Sequence, residues 1–140
     1  MKQQKRIAKL HRHTANQRKD FLHKESLSIA RAYDIVCVED LDMRAMSNKG
    51  FGNGRATLDN GYGMFLTMLN YKLEERGKVL VRVGKWYASS QICSSCGRQH
   101  KMPLAVRTYR CECGMVMDRD MNAAVNIREE GLRILASKTA

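Results

Sequence analysis

The sequence has no apolar run that approaches the roughly 18 residues of a membrane-spanning helix. Its first residues, MKQQKRIAKLHRH, lack the apolar segment of a secretory signal peptide. Acidic residues are scarce, because 14 Asp and Glu stand against 25 Lys and Arg and leave a net charge of +11. This excess favours a polyanionic partner, since each phosphate bound by Lys or Arg releases a condensed counterion. These features predict a soluble, intracellular protein that binds nucleic acid.

The pattern of apolar residues predicts three helices and two strands in an α/β fold. The first helix covers residues 2–32, which contain no Pro or Gly. Apolar, β-branched runs at 34–39 and 78–83 are typical of buried parallel strands. A helix over about 58–76 joins the strands, and a last helix covers about 121–135. Strand, helix and strand form one βαβ unit with parallel strands.

The first helix is a candidate nucleic-acid-binding element. Its apolar stripe consists of Ile7, Leu10, Thr14, Gln17, Phe21 and Leu22. Basic side chains crowd the other faces, and Asp20 and Glu25 are the acids within the helix that could neutralise them. A merely solvated face is the alternative. We expect Arg12, Arg18 and Lys19 to contact phosphates.

Two short cysteine pairs, each followed by glycine, predict a metal site. The pairs are Cys93-Ser-Ser-Cys96-Gly and Cys111-Glu-Cys113-Gly. Four thiolates complete a tetrahedral shell around one Zn²⁺, which leaves no position for a catalytic water. We therefore predict a structural zinc site in a ribbon that zinc largely folds. Two disulfides or free thiols are the alternatives, and His100 is a competing ligand.

Other residues of the ribbon and the fifth cysteine have simpler interpretations. Arg98 and Lys101 lie in the predicted ribbon, where basic side chains favour contact with nucleic acid but also keep a small loop soluble. Cys37 lies alone in the first strand and is predicted to be a small apolar core residue.

Acidic residues occur at two positions where an α/β fold can build a site. Glu39 ends the first strand, and the carboxyl ends of parallel strands assemble sites. Asp118 and Asp120 come directly before the last helix. Phosphodiester hydrolysis with two Mg²⁺ or Mn²⁺ ions requires several converging carboxylates. The residues alone leave open the alternative that Asp118 or Asp120 caps the helix.

Three motifs together resemble the TnpB/OrfB family of transposon-encoded proteins. YRCECGMVMDRDMNAAVNI, from Tyr109 to Ile127, is similar to the family's end, where a cysteine knuckle runs into D-R-D-x-N-A-A-x-N-I. IVCVEDL, from Ile35 to Leu41, resembles the second RuvC motif, and SSQICSSCG, from Ser89, resembles the first knuckle. Order and spacing agree along nearly the whole chain, including the basic helix.

The resemblance implies an RNase H/RuvC-like fold and a metal-dependent DNA endonuclease guided by RNA. Glu39 would be the second catalytic acid and Asp120 the third, while Asp118 would assist or cap the helix. Asn122 would orient the site or the start of the helix, and Arg119 would meet a phosphate. The implied partners are DNA and a guide RNA. The implied location is the cytoplasm of a prokaryotic cell, with the protein on the nucleoid when it is bound. The implied cofactors are structural Zn²⁺ and catalytic Mg²⁺ or Mn²⁺.

The resemblance also has one departure. Family members carry a first catalytic Asp on a strand before the basic helix, and this chain begins at that helix. We therefore expect an incomplete nuclease domain at 1–88 and 115–140, with a zinc ribbon inserted at 89–114. Such a chain is expected not to cut DNA efficiently unless an N-terminal fragment supplies the missing strands. The alternatives are a non-enzymatic zinc-ribbon module that binds nucleic acid and, less favoured, a zinc protein that binds an acidic protein.

Overall fold

The computed structural model describes residues 2–42, 61–103 and 105–139, which form three helices and four strands. In chain order these are α1 (Lys2–Ala32), β1 (Ile35–Glu39), α2 (Tyr62–Glu74), β2 (Val79–Val83), β3 (Thr108–Arg110), β4 (Val116–Asp118) and α3 (Arg119–Thr139). The fold therefore combines helices and strands, as predicted. A glycine-rich stretch at 44–56, which the sequence predicts as a loop, lies outside the described residues. None of the described helices has the length and apolar character that crossing a bilayer requires.

The chain divides into two compact units. The first consists of Met1–Ile35 and Asp42–Val79, and the second of Val36–Leu41 and Leu80–Ala140. The first unit is built on α1 and α2, and the second contains the cysteine pairs, β3, β4 and α3. The proposed limits of the inserted ribbon are not tested by this division and stay a prediction.

In the first unit, α2 packs against the second half of α1. The buried side chains of α1 are Leu22, Ser26 and Ala30, and the buried apolar ones of α2 are Leu66, Met68, Leu69 and Leu73. Of the six side chains in the predicted apolar stripe of α1, Leu22 alone is buried. Leu10 and Phe21 remain 59% and 60% exposed. The first half of α1 thus presents its charged and apolar side chains on the surface of the described structure.

A buried lysine joins the two helices of the first unit. The Lys72 ammonium donates hydrogen bonds of 2.7 Å to the His23 carbonyl and 2.7 Å to the Ser26 hydroxyl. It also lies 3.3 Å from Nδ1 of His23. Burial lowers the pKa of Lys72, and the nearby Arg76 lowers it further. Because several acceptors satisfy the ammonium, a charged group is tolerated between two helices.

The end of α2 is set by a glycine that the sequence places just after the predicted helix. Gly77 has φ +65°, a left-handed conformation that glycine adopts without a Cβ penalty. Its N–H donates to the Glu74 carbonyl, and the Lys78 N–H donates to the Leu73 carbonyl. This pair of bonds is the Schellman motif, which satisfies the last carbonyls of a helix. The turn leads directly into β2.

The strands β1 and β2 pair with each other in a two-stranded sheet. At one end the Val79 N–H donates to the Asp34 carbonyl, and at the other the Asp40 N–H donates to the Val83 carbonyl. The two strands therefore run in the same direction, which confirms the predicted parallel pair. The prediction that β1 is buried was wrong, since Ile35 is 41% exposed and the rest of β1 is half-buried. The described sheet has one other strand, so β1 has a partner along one edge only.

In the second unit, α3 lies directly against β1. A Cβ added to Gly131 of α3 would overlap Sγ of Cys37 and come within 2.8 Å of its Cβ. Glycine at this position therefore allows the helix to approach the strand closely. Cys37 is half-buried in this contact and does not belong to the fully buried core that the sequence predicts for it. Burial raises the pKa of its thiol.

Candidate metal centre and acidic site

Four cysteine sulfurs meet in the second unit. Sγ of Cys93 lies 3.7 Å from Sγ of Cys113, and Sγ of Cys96 lies 3.5 Å from Sγ of Cys111. All four sulfurs lie within 4.8 Å of one another. A tetrahedral zinc shell with Zn–S bonds of about 2.3 Å requires sulfurs roughly 3.8 Å apart. The cluster therefore has the composition and the spacing of a metal site.

Both cysteine pairs adopt the same local shape, although the second is one residue shorter. The N–H of Cys93 donates to the Arg98 carbonyl, and that of Cys111 donates to the Met115 carbonyl. Gly97 and Gly114 follow the pairs with φ of +74° and +92°. The N–H of each glycine donates a hydrogen bond to the backbone carbonyl of the first cysteine of its pair. The glycines thus close two equivalent knuckles, so the shorter C-x-C spacing does not prevent the four sulfurs from converging.

The thiols influence each other's ionisation. Burial raises the pKa of Cys93, but hydrogen bonds from the N–H groups of Cys96 and Ser95 and from neighbouring thiols bring it down to about 7. A backbone hydrogen bond from Cys113 lowers the pKa of Cys111, but burial and its thiol neighbours raise it to about 12. One thiolate therefore forms readily and makes the next one costly. A bound cation would lower the pKa of the coordinating thiols and so favour several thiolates at once.

A small hairpin supports the cluster. The strands β3 and β4 pair in antiparallel register, with Tyr109 opposite Met117. Tyr109 is fully buried, and its hydroxyl donates a 2.9 Å hydrogen bond to the Gln91 carbonyl. Nε2 of His100 lies 3.4 Å from Sγ of Cys111, outside the group of four mutually close ligands. The geometry thus gives His100 a hydrogen-bonding position beside the cluster.

The first turns of α3 hold the knuckle through polar side chains. The Asn122 amide donates to the Ile92 carbonyl at 2.7 Å, and its oxygen accepts from the Ser94 N–H at 3.0 Å. The Asn126 amide donates to the carbonyls of Ser89 and Ile92 at 2.8 and 2.7 Å. Both asparagines are buried. These hydrogen bonds were not predicted from the sequence, although a spacing of four residues puts both side chains on one helix face.

Arg119 completes the contacts between α3 and the ribbon. Its side chain is 9% exposed and donates hydrogen bonds to the carbonyls of Pro103, at 3.0 Å, and Val106, at 3.4 Å. The resemblance implies that this side chain meets a phosphate. Its guanidinium also lies 3.5 Å from the Ser90 hydroxyl. Contact of Arg119 with a phosphate stays a prediction.

The two aspartates before α3 differ in their surroundings. Oδ1 of Asp118 accepts the N–H groups of Asp120 at 2.9 Å and Met121 at 3.1 Å, so it caps the helix. The carboxylate of Asp120 is exposed and lies 4.0 Å from the guanidinium of Arg107. Of the two roles considered for Asp118, capping is therefore the one that the geometry provides.

Glu39 lies at the carboxyl end of β1, as predicted. It follows Cys37 by two residues, so both side chains project from the same face of the strand, the face that α3 approaches. Burial raises the pKa of Glu39. Within the part of the chain that the structure describes, the cysteine cluster is the one group of three or more His, Cys, Asp or Glu close enough to share a metal ion. Glu39, Asp118 and Asp120 do not form such a group by themselves.

The basic residues predicted to contact nucleic acid occupy different environments. Arg12, Lys19 and Lys101 are exposed, and Arg18 is half-buried. The guanidinium of Arg98 is exposed and lies 3.2 Å from the carboxylate of Glu112. Their contact with phosphates stays a prediction.

Comparisons with known proteins cover nearly the whole chain. A family model described as "Cas12f1-like, TNB domain" matches residues 62–127, and the OrfB_IS605 model, described as "Probable transposase", matches residues 1–50. A candidate RNA-guided DNA endonuclease of Streptomyces pristinaespiralis is 39% identical over 94% of this chain and 33% of its own length. InsQ of Escherichia coli, named in the same way, is 32% identical over 96% of this chain and 37% of its own length.

A solved structure agrees with these relatives. A chain in the cryo-EM structure of a Cas12f1–sgRNA–target DNA complex superposes with a TM-score of 0.67 and 25% identity, over 88% of this chain and 36% of its own length. This chain thus spans about a third of the length of the proteins that it matches. Family models, curated relatives and fold agree that the chain belongs to the TnpB/OrfB family of transposon-encoded proteins.

Proposed function

We propose that this chain forms part of a transposon-associated, RNA-guided DNA endonuclease, in which Glu39 and Asp120 are two of the metal-binding acids. The observation that carries the proposal is the position of the family's motifs in the fold. The Glu-Asp-Leu motif ends β1, the D-R-D motif begins α3, and α3 packs on β1 through Gly131. An RNase H/RuvC-like arrangement, in which acids collect at the carboxyl edge of a sheet, accounts for this placement.

The two acids would hold Mg²⁺ or Mn²⁺, which bind hard carboxylate oxygens. Divalent ions there would supply an activated water and stabilise the leaving oxygen in phosphodiester hydrolysis. Burial raises the pKa of Glu39 and so disfavours its carboxylate. A nearby cation would offset this effect and favour the ionised form. The carboxylate of Asp120 is exposed and therefore open to an ion. Asp118 would act indirectly, by fixing the first turn of α3.

The cysteine cluster is proposed to bind one structural Zn²⁺ through Cys93, Cys96, Cys111 and Cys113. Four sulfur ligands at near-tetrahedral spacing leave no coordination position for a substrate. The hydrogen bonds from Asn122 and Asn126 to the first knuckle would connect this zinc site to the helix that begins with Asp120. The proposed role of zinc is therefore to fix the ribbon against α3.

The proposed partners are a guide RNA and its DNA target. The net charge of +11 and the exposed Arg12, Lys19 and Lys101 support binding of phosphates. Two acids alone form an incomplete site for two metal ions. We therefore propose that a further acid comes from a preceding part of a longer protein or from an N-terminal fragment, and that the 140-residue chain alone cleaves poorly.

The test is Mg²⁺- or Mn²⁺-dependent cleavage of labelled single- and double-stranded DNA. With the guide RNA of the Streptomyces relative present throughout, the chain is assayed alone and with the N-terminal part of that relative, as wild type and as Glu39→Ala and Asp120→Ala. Asp20→Ala, which removes an exposed acid from α1, is the matched control. We expect cleavage only with the added fragment, lost in both site variants and kept in the control.

Two outcomes would contradict the proposal. Cleavage that survives in Glu39→Ala and Asp120→Ala would place the chemistry elsewhere. Absence of cleavage under every condition, with salt-sensitive DNA binding unchanged in both variants, would instead leave a zinc-ribbon module that binds nucleic acid without cutting it.

A further inference from the structure

The largest apolar side chain of the second unit lies on the surface. Trp86 is 88% exposed, more than any other large hydrophobic residue that the structure describes. It is also the single tryptophan of the chain. The Lys85 ammonium lies 5.2 Å from the centroid of its ring, within the range of a cation–π contact. An exposed indole offers a flat apolar face on which another ring can stack.

The turn that carries Trp86 begins at the same edge of the sheet as Glu39. The Tyr87 N–H donates a 3.0 Å hydrogen bond to the Gly84 carbonyl, which puts Lys85 and Trp86 at the tip of a tight turn. Gly84 directly follows β2, whose last residue accepts the N–H of Asp40. Trp86 is three residues beyond β2, so its Cα lies within roughly 11 Å of that strand end.

We propose that Trp86 is a stacking platform for an unpaired nucleobase of a single strand that passes the carboxyl edge of β1 and β2. Every base offers a π-face, so stacking on an exposed aromatic ring holds single-stranded nucleic acid without reading its sequence. The Lys85 ammonium lies over the Trp86 ring and adds positive charge beside the stacking position, which favours a polyanionic strand. The inference rests on the proposed function, because it places the strand beside Glu39.

The test uses the fluorescence of Trp86, which is free of interference because the chain has one tryptophan. The 140-residue protein is titrated with a 15-mer of deoxythymidine, and binding is followed in parallel by anisotropy of a labelled 15-mer. We expect saturable quenching with the same Kd in both measurements. Trp86→Ala should weaken binding of the 15-mer about tenfold, Trp86→Phe should restore most of it, and affinity for a duplex should change less than twofold.

Tyr33→Ala is the matched control. Tyr33 is another aromatic side chain, 60% exposed, but it precedes β1 and should not affect binding of the 15-mer. Unchanged fluorescence at saturation, or wild-type affinity in Trp86→Ala, would overturn the stacking platform alone. If the wild type binds neither the 15-mer nor a duplex, the proposed function fails together with this inference.

Discussion

At the scale of single residues, polar side chains of α3 attach the ribbon to this helix through hydrogen bonds. Three residues of the motif D-R-D-x-N-A-A-x-N are buried and form hydrogen bonds with backbone atoms of the ribbon. They are Arg119, Asn122 and Asn126. The sequence motif identifies these positions, but it does not indicate their partners. Hydrogen bonds between residues about 30 positions apart depend on how the ribbon folds back on the helix.

Asn126→Ala tests this attachment. The substitution removes the donor to the Ser89 and Ile92 carbonyls, so the free energy of unfolding should fall by about 1–3 kcal/mol. Asn70→Ala is the control, because Asn70 makes an exposed contact with Glu74, and its loss should cost less than about 0.5 kcal/mol. Urea denaturation measures both. Equal effects would show that the bonds of Asn126 contribute no more than a surface contact.

Gly131→Ala tests the approach of α3 to β1. The added methyl group would overlap Cys37, so we expect a loss of about 1–3 kcal/mol in unfolding free energy. Gly63→Ala, in α2, meets no atom within 4 Å and should be neutral or stabilising by up to about 1 kcal/mol, since alanine favours helix. A neutral Gly131→Ala in the same urea experiment would refute the close packing.

At the scale of elements, long regular segments were predictable and short ones were not. The predicted bounds of α1 agree with the structure, and both strands of the parallel sheet agree within one residue. The hairpin of β3 and β4 was missed because three-residue strands are too short to show an alternating pattern. The predicted burial of β1 failed because periodicity indicates a strand but not how many neighbours cover it.

The pairing of α1 with α2 gives a prediction about pH. The pKa of Lys72 is lowered from 10.5 by burial, so the unfolded chain binds more protons than the folded one between the folded-state pKa and 10.5. The free energy of unfolding should therefore rise with pH in that window. Lys72→Met should remove this rise, while the contributions of other groups stay the same in both proteins. Denaturation followed by helix circular dichroism at several alkaline pH values measures the difference, and parallel pH profiles would contradict the assignment.

The ribbon gives a prediction about metal. A native mass spectrum should show one zinc ion per chain, which Cys93→Ala and Cys111→Ala abolish. Cys37→Ala is the matched control, because the fifth cysteine lies outside the cluster and should leave the zinc in place. Chelation of the metal should unfold the hairpin but leave most of the helical circular dichroism signal of α1 and α2. A metal-free spectrum with two disulfides would refute the zinc site.

At the scale of the whole molecule, the charge of this chain and the names of its relatives both agree with the proposed nucleic-acid partner. The excess of basic residues predicts a polyanion, and the relatives are named as candidate RNA-guided DNA endonucleases. The cysteine cluster that forms the candidate metal site could be predicted from the spacing of the cysteines alone. The acids could not, because a carboxylate at a strand end or helix start is common, and their proposed role depends on the family's motifs.

The most direct test of that role exchanges segments between relatives. This chain replaces the matching 132-residue segment of the Streptomyces protein, and the hybrid is assayed with that protein's guide RNA for Mg²⁺-dependent cleavage of target DNA. We predict cleavage by the hybrid, a loss of at least about a hundredfold in cleavage rate in Glu39→Ala and Asp120→Ala, and a smaller loss in Asp118→Asn. A hybrid that cleaves equally well without Glu39 or Asp120 would contradict this prediction.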